Sequence, residues 1–511
     1  MRRFASAALL VLAACGGETG DSSTLNYYFT SDPRSLDPAL STDVPTGETI
    51  TLIFDNLTRF DIDANLEPGL AERWEVDSAG LVYTFHLRPN VTFHDGRLVA
   101  ADDVRASFLR VLDPASTGGR NWPLMPIAGA REYAAGGAED VRGIRVLDDS
   151  TVQLEITEPL NVFPKLLAMP VAAIVPTPTP AGFDQSPIGS GPWRFVSWAH
   201  DDAIVLSANE NYWGGRPAED TLIIRIIPEP LTQAAEFEAG NLSVVEVPFG
   251  ETRRWEQDHP DLLQRRPAIR DLYIAINTTR GPLADVRVRR ALNHAVDVET
   301  ILRTVMGGRG VRAAGSIPPG LVGYDSTRAP YRHDPELAKR LLAEAGYPDG
   351  FPLQLWRTQR TELGRIAQAV QSDLGEVGIT VEIVERDASS AREAARAGEA
   401  DMFISDWYAD YPDAENFIYP LFHSRNAGPG GNMAFLRNAA LDSMIMEMRS
   451  TPDSARKANL SRAIDEAIFE QAPWLFLWFP VDMWAVRPEV EGWKIYAVFT
   501  GQRWTDVRYS E

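Results

Sequence analysis

The sequence predicts an α/β protein built from two or three lobes, and three observations predict it. Strand-like and helix-like segments alternate along the whole chain, as they do where helices cover sheets. At 511 residues the chain exceeds the roughly 250–300 at which a single core stops growing. A proline-rich run over 170–187 interrupts the alternation and reads as a crossing between lobes.

The elements follow in order. Residues 24–30, TLNYYFT, form an aromatic strand. Pro33, Pro38 and Pro45 then break the chain, and a short helix is expected over 47–56. Strand 81–87, LVYTFHL, ends at Pro89-Asn90, and His94-Asp95-Gly96 is a tight turn whose glycine can take positive φ. Beyond Asp102, the residues Val104, Phe108, Val111 and Leu112 share one helical face, with Asp102 or Asp103 as the N-cap. Strands are expected within 141–157 and, after the glycine turn at 189–191, within 193–196, 203–207 and 222–227. A short helix over 233–239 stops at Gly240, and 271–277 is a further strand. Residues 285–306 read as two helices meeting near Asp297. Asp334-Pro335-Glu336 opens a helix with an acidic cap and a proline in its first turn, and Gly346 closes it. Helix 362–377, strand 379–384, helix 455–471 and the aromatic strand WLFLWF complete the pattern.

Composition excludes several classes. A formal net charge of −22 argues against nucleic acid and anionic lipid as partners, since both require basic patches. A single cysteine permits neither an internal disulfide nor a cysteine-based metal cluster. The seven histidines are scattered with none at i, i+4, so no histidine zinc site is expected. There is no G-x-S-x-G and no P-loop. Gly308-x-Gly310-x-x-Ala313 imitates a dinucleotide fingerprint, but it follows a helix and runs into Pro318-Pro319. No catalytic residue, cofactor or metal is therefore expected.

The first residues, MRRFASAALLVLAAC, place two arginines before an apolar run too short to span a bilayer. Small residues ahead of Cys15 resemble the bacterial lipobox, which implies a signal peptide over 1–14 and a lipidated Cys15. Residues 15–23, rich in glycine and serine, read as a tether. The chain is then membrane-anchored or secreted and does not span.

The most informative stretch is 401–422, DMFISDWYADYPDAENFIYPLF. Asp401, Asp406, Asp410, Asp413 and Glu415 alternate with Phe403, Trp407, Tyr408, Tyr411, Phe417, Tyr419 and Phe422. Acids among large aromatics suit the capture of a cationic organic group, since a carboxylate pairs with an ammonium while the rings exclude water. The same pattern also fits a loop whose aromatics are core and whose acids are solvated.

A family becomes visible in the ordered motifs GLAERWEV at 69–76, YTFHLRPNVTFHDG at 83–96, IGSGPWRFVSW at 188–198, NENYWGGRP at 209–217, DVRVRRALNHAVD at 285–297 and LLAEAGYPDG at 341–350. With DWYADYPDAENFIYPLF and the EGW at 491–493, the chain resembles the extracytoplasmic solute-binding proteins of dipeptide/oligopeptide ABC importers, family 5. The resemblance implies a two-lobe clamshell of the type II periplasmic-binding-protein kind with an extra domain. Domain I would comprise 21–55, 186–265 and 479–511, domain II 56–185 and domain III 266–478. It implies that Asp410 holds a peptide's α-ammonium and that Arg357 or Arg360 holds its carboxylate. Trp356, Trp407, Tyr408 and Tyr411 would line pockets, and Trp74, Trp193 and Trp213 would be core. The expected partners are a small peptide and the permease subunits of an importer, with the protein itself a monomer. The runner-up is the same scaffold holding an oligosaccharide, nickel chelate, opine or haem, and the rival from another class is a peptide hydrolase.

Anchoring is directly testable. Cys15→Ala should move the protein from the membrane fraction to the soluble one, because several acyl chains hold stably where one is marginal. A variant that still pellets with membranes contradicts the lipobox reading.

Overall fold

A computed structural model of the chain describes residues 23–510. The expected signal peptide, most of the tether and Cys15 lie outside the described residues.

Three hydrophobic cores organise the chain. The first surrounds a four-stranded sheet in which Thr24–Phe29 lies parallel to Thr221–Ile226, with Ala203–Ala208 and Trp193–Ala199 continuing antiparallel. Strand alternation turns Leu25, Ile204, Leu206, Leu222 and Ile224 inward, all fully buried. The second core lies against an antiparallel sheet ordered Ala71–Val76, Val82–Leu87, Thr151–Glu155 and Ile144–Asp148. Helix Ala101–Leu112 covers it with the face predicted from its 3.6-residue spacing. The N-cap is Ala100 rather than an aspartate; Asp103 instead reaches back one turn to accept the Ala100 N–H at 2.9 Å.

The third core is split by an eight-stranded sheet whose centre holds Trp474–Val486, Arg270–Ile276, Met402–Tyr408, Pro352–Thr358 and Thr380–Arg386. Helices Val286–Ala295, Val298–Val305, Pro335–Glu344 and Thr361–Glu376 cover one face. Helices Ala414–Phe422, Ala439–Ser450 and Ser454–Gln471 cover the other.

Two adjacent chain segments tie the third core to the first. Trp474–Val486 is 13 residues long; its Leu475, Leu477 and Trp478 lie in the third core, and its Met483, Trp484 and Ala485 in the first. The second crossing, Leu263–Pro267 followed by Arg270–Ile276, pairs antiparallel with it on both sides. The aromatic strand was expected only over WLFLWF. It continues through Pro480, which has no N–H to give, because the Pro480 carbonyl still accepts the Ala268 N–H at 2.9 Å.

The first two cores are joined by Asp55, which is fully buried. It accepts from Ser190 Oγ at 3.1 Å, Tyr212 OH at 3.2 Å and Trp213 Nε1 at 3.0 Å, and faces Arg503 at 3.6 Å. The glycine-rich motif at 188–198 and the NENYW motif therefore converge on one carboxylate. Gly189 is required by close approach, since a Cβ there would stand 2.0 Å from the Ile53 carbonyl oxygen. Trp193 is core as expected, but Trp74 and Trp213 are only half-buried. Trp213 donates its N–H inward and lies beneath the guanidiniums of Arg59 and Arg88. The helix expected over 47–56 is Val44–Ile53, because Pro45 fits the first turn behind the Asp43 cap instead of breaking the chain.

Asp413 caps helix Ala414–Phe422 and receives Lys165 and Lys457, each at 2.7 Å. Burial pushes its carboxyl up, but the two ammonium groups outweigh it and hold it at about 2. A carboxyl depressed in this way contributes stability above its unfolded value of about 3.9 and loses it as pH falls through about 2. Asp413→Asn should therefore cost roughly 2 kcal/mol or more at pH 7. The deficit against the native protein, measured by chemical denaturation, should shrink between about pH 4 and pH 2. A deficit independent of pH would contradict the assignment.

Candidate functional site

The site is built where strand Met402–Tyr408 ends. This strand lies antiparallel to Arg270–Ile276 and parallel to Pro352–Thr358, so its last residues emerge beside the crossing strands. The turn that follows is held from two sides. Ala409 N–H donates to the Ile269 carbonyl at 3.2 Å. Asn416 Oδ1, on the next helix, accepts both Asp410 N–H and Trp407 Nε1–H at 3.1 Å.

This geometry points Asp410 at the opposite lobe, where its carboxylate pairs with Arg120. Arg120 also reaches the Thr42 carbonyl at 3.5 Å, and a Cβ on nearby Gly118 would stand 1.9 Å from the Ala39 carbonyl oxygen. The guanidinium is thus tied to the lobe of the first two cores. Asp410 and Arg120 side chains are only 22% and 28% exposed. Burial raises the Asp410 carboxyl, and Arg120 and Asn416 oppose the rise.

The four expected residues of this turn are brought together, in different roles. Tyr408 is 54% exposed, with the Arg270 guanidinium 4.6 Å above its ring and hydrogen-bonded to its hydroxyl. Trp407 is half-buried against the cores on both sides. Tyr411 is buried, its hydroxyl bonded to Glu415 and its ring 6.3 Å from Trp122 of the opposite lobe. The remaining three lie on their own lobe. Arg360 is shared between Glu362 at 2.6 Å and Asp406 at 2.8 Å. Arg357 pairs with Glu385 and donates to the Thr358 carbonyl. Trp356 is 4% exposed, packed with Phe403 and the alanines of helix Ala388–Arg396 beneath Arg386. In this conformation Trp356 is packing rather than cavity wall. Asn432 is fully buried, and its side-chain amide donates to the Leu436 carbonyl at 3.0 Å.

Behind Tyr408 and Ala409 opens a cavity of about 220 Å³ at the crossing strands, walled by Trp484, Tyr496 and Phe499. A larger hollow, about 330 Å³, lies on another seam between Arg59 and Asp506 and touches none of these residues. Arg120, Arg270 and the acids of the smaller cavity were not anticipated from sequence. No local motif marks them, and Arg120 lies 290 residues from Asp410.

Residues 65–429 match the bacterial extracellular solute-binding proteins, family 5 Middle. The chain is 32% identical to the dipeptide-binding protein of Escherichia coli over 92% of each chain. It is 31% identical to heme-binding protein A of Haemophilus influenzae, over 96% of this chain and 95% of that one. Among solved structures it resembles the periplasmic binding protein DppA of Helicobacter pylori in complex with the peptide STSA. That match has a TM-score of 0.79 and 27% identity, over 96% of this chain and 98% of that one. HbpA2 of Haemophilus parasuis matches with a TM-score of 0.84 and 28% identity, over 96% and 100%.

The Arg120–Asp410 pair bridges the lobes, so it biases their separation. Arg120→Met leaves a desolvated carboxylate on closure, and the ligand-free protein should shift toward an open form with a larger radius of gyration in solution scattering. Unchanged scattering would mean that the pair does not bear on closure.

Proposed function

The chain belongs to the bacterial extracellular solute-binding proteins of family 5, two-lobed clamshells with an extra domain that act by binding, and on that premise we propose that it captures short peptides. The peptides would then pass to the transmembrane subunits of an ABC importer, with the protein held at the membrane through a lipidated Cys15. Closure, rather than a chemical step, is the working event.

The observation that carries this reading is Asp410, whose backbone N–H is fixed by Asn416 Oδ1 and whose carboxylate meets Arg120 from across the cleft. A peptide's α-ammonium replaces the guanidinium charge for charge, which leaves no carboxylate unpaired in the closed state. Half-buried Trp407 beside it limits water and strengthens the pair. Arg360 is the better placed of the two arginines for a ligand carboxylate. Its side chain is 46% exposed, whereas that of Arg357 is 16% exposed and committed to Glu385. Peptide complexes among the similar structures support the same ligand class. The name of the Haemophilus influenzae relative makes haem the alternative solute.

Truncating one partner of a desolvated ion pair costs on the order of 2–5 kcal/mol. Asp410→Ala should therefore weaken peptide binding by roughly 30-fold or more, each 1.4 kcal/mol being about tenfold. Acetylating the peptide's amino terminus should cost the native protein a similar factor and the variant little more, since both changes remove one contact. Calorimetry on the four combinations decides it. Additive losses, or indifference of the native protein to acetylation, would remove Asp410 from this role, and haem binding would then be measured by titration.

A further inference from the structure

The cavity behind Tyr408 is lined by more acidic than basic side chains. Glu48 enters it from helix Val44–Ile53, Glu246 from strand Val244–Glu246 and Asp482 from the crossing strand Trp474–Val486. Arg270 is the only cation in the lining, and it is already engaged with the ring and hydroxyl of Tyr408.

The acids are poorly partnered. Glu48 accepts a hydrogen bond from Tyr496 OH at 3.1 Å. Glu246 meets Arg309 at 3.5 Å. The Asp482 carboxylate has no hydrogen bond and no ion pair among the described residues, and it feels Arg270 and Arg309 only at longer range. Three acids therefore face two guanidiniums, and the half-buried Asp482 side chain stands in the cavity wall.

We propose that this cavity is a side-chain subsite for a basic residue, a lysine- or arginine-like group close to the peptide's amino terminus. The inference rests on the peptide reading above and specifies which peptides are preferred. Ala409, in the cavity wall, is adjacent to the Asp410 anchor, so a side chain near the ligand's amino terminus falls within reach. The volume of about 220 Å³ corresponds to about seven waters at roughly 30 Å³ each, room for an alkylammonium and a little solvent. Trp484, Tyr496 and Phe499 supply ring faces for the stem and for cation–π contact. An apolar side chain would bury Asp482 without a partner, and an acidic one would add a like charge.

Protonation supports the same occupant. Burial pushes all three carboxyls up, Glu48 to about 8. The groups facing Glu48 are the phenols of Tyr27, Tyr28 and Tyr496; those facing Glu246 and Asp482 are Tyr28, Arg270 and Arg309. With Glu48 raised to about 8, a cation brought beside it favours loss of its proton.

The test is calorimetry at pH 7 with Ala-Lys, Ala-norleucine and Ala-Glu and with the reversed dipeptides, in two buffers of different ionisation enthalpy. In the better of the two orders the lysine peptide should bind at least about tenfold tighter than its norleucine counterpart, the glutamate peptide should be weakest, and only lysine should release protons. Asp482→Asn and, separately, Glu48→Gln should bring the lysine-to-norleucine ratio toward unity. If all peptides bind alike, the subsite is overturned and the peptide reading stands. If none binds, the peptide reading falls and the subsite with it. A lysine preference that survives both substitutions also overturns the assignment.

Discussion

Everything that moves or binds in this molecule is arranged around one hydrogen-bonded pair of crossing strands. Trp474–Val486 and its antiparallel partners Leu263–Pro267 and Arg270–Ile276 carry the chain between the third core and the first. Such a ribbon resists sliding, because a slip of one residue would turn every side chain to the wrong face. The short strands Val244–Glu246 and Gly310–Arg312 pair with the same crossing strand and widen it. The register shift between Leu272 and Tyr273 lies within it, and Pro480 removes one donor at its middle. The cavity and the base of the Asp410 turn sit against the ribbon.

Farther from the ribbon the lobes meet through polar contacts. Asn161 Nδ2 donates to the Met448 and Thr451 carbonyls at 2.8 and 3.0 Å, Lys165 reaches Asp413, and Arg120 reaches Asp410. The apolar part of the contact places Ile269, Ala409, Tyr411 and Phe417 among the residues of the second core. Buried ion pairs roughly break even against their desolvation, so the polar contacts add little net stability to it. A ligand shifts the equilibrium by its differential affinity for the closed form.

Much of the fold was legible because local signals agreed with tertiary demand. The two helices meeting near Asp297 are Val286–Ala295 and Val298–Val305, each with an aspartate cap. The helix opened by Asp334-Pro335 runs Pro335–Glu344. Local rules misled where a residue has two uses. Pro45 reads as a breaker yet suits a first helical turn, and Pro480 reads as a strand end yet keeps its acceptor. Asp410 and its aromatic neighbours stand out together in the sequence because they lie in one contiguous motif. Arg120, Arg270, Glu48 and Asp482 do not, because each comes from a different segment and only the fold juxtaposes them. Trp356 was placed by likeness of position, while its burial depends on Phe403 and a helix some thirty residues further on.

The ion pairs of the third core explain why Asp410, among so many acids, is the one suited to exchange partners. Arg357–Glu385 and Arg360–Asp406 each lie within one lobe, so a change in the separation of the lobes leaves both pairs intact. Asp271 is buried with one oxygen on Trp407 N–H and the other unpartnered. Burial first, then the neighbouring Asp406, raise its carboxyl well above the usual range. Asp410 differs from both. Its partner belongs to the other lobe, so opening removes the guanidinium and admits water to the carboxylate in the same movement. The desolvated charge exists only in the closed state, when either Arg120 or a ligand cation is present to meet it. A carboxylate of this type is inexpensive to keep while the cleft is open and demanding when it shuts, which is the asymmetry that couples occupancy to closure.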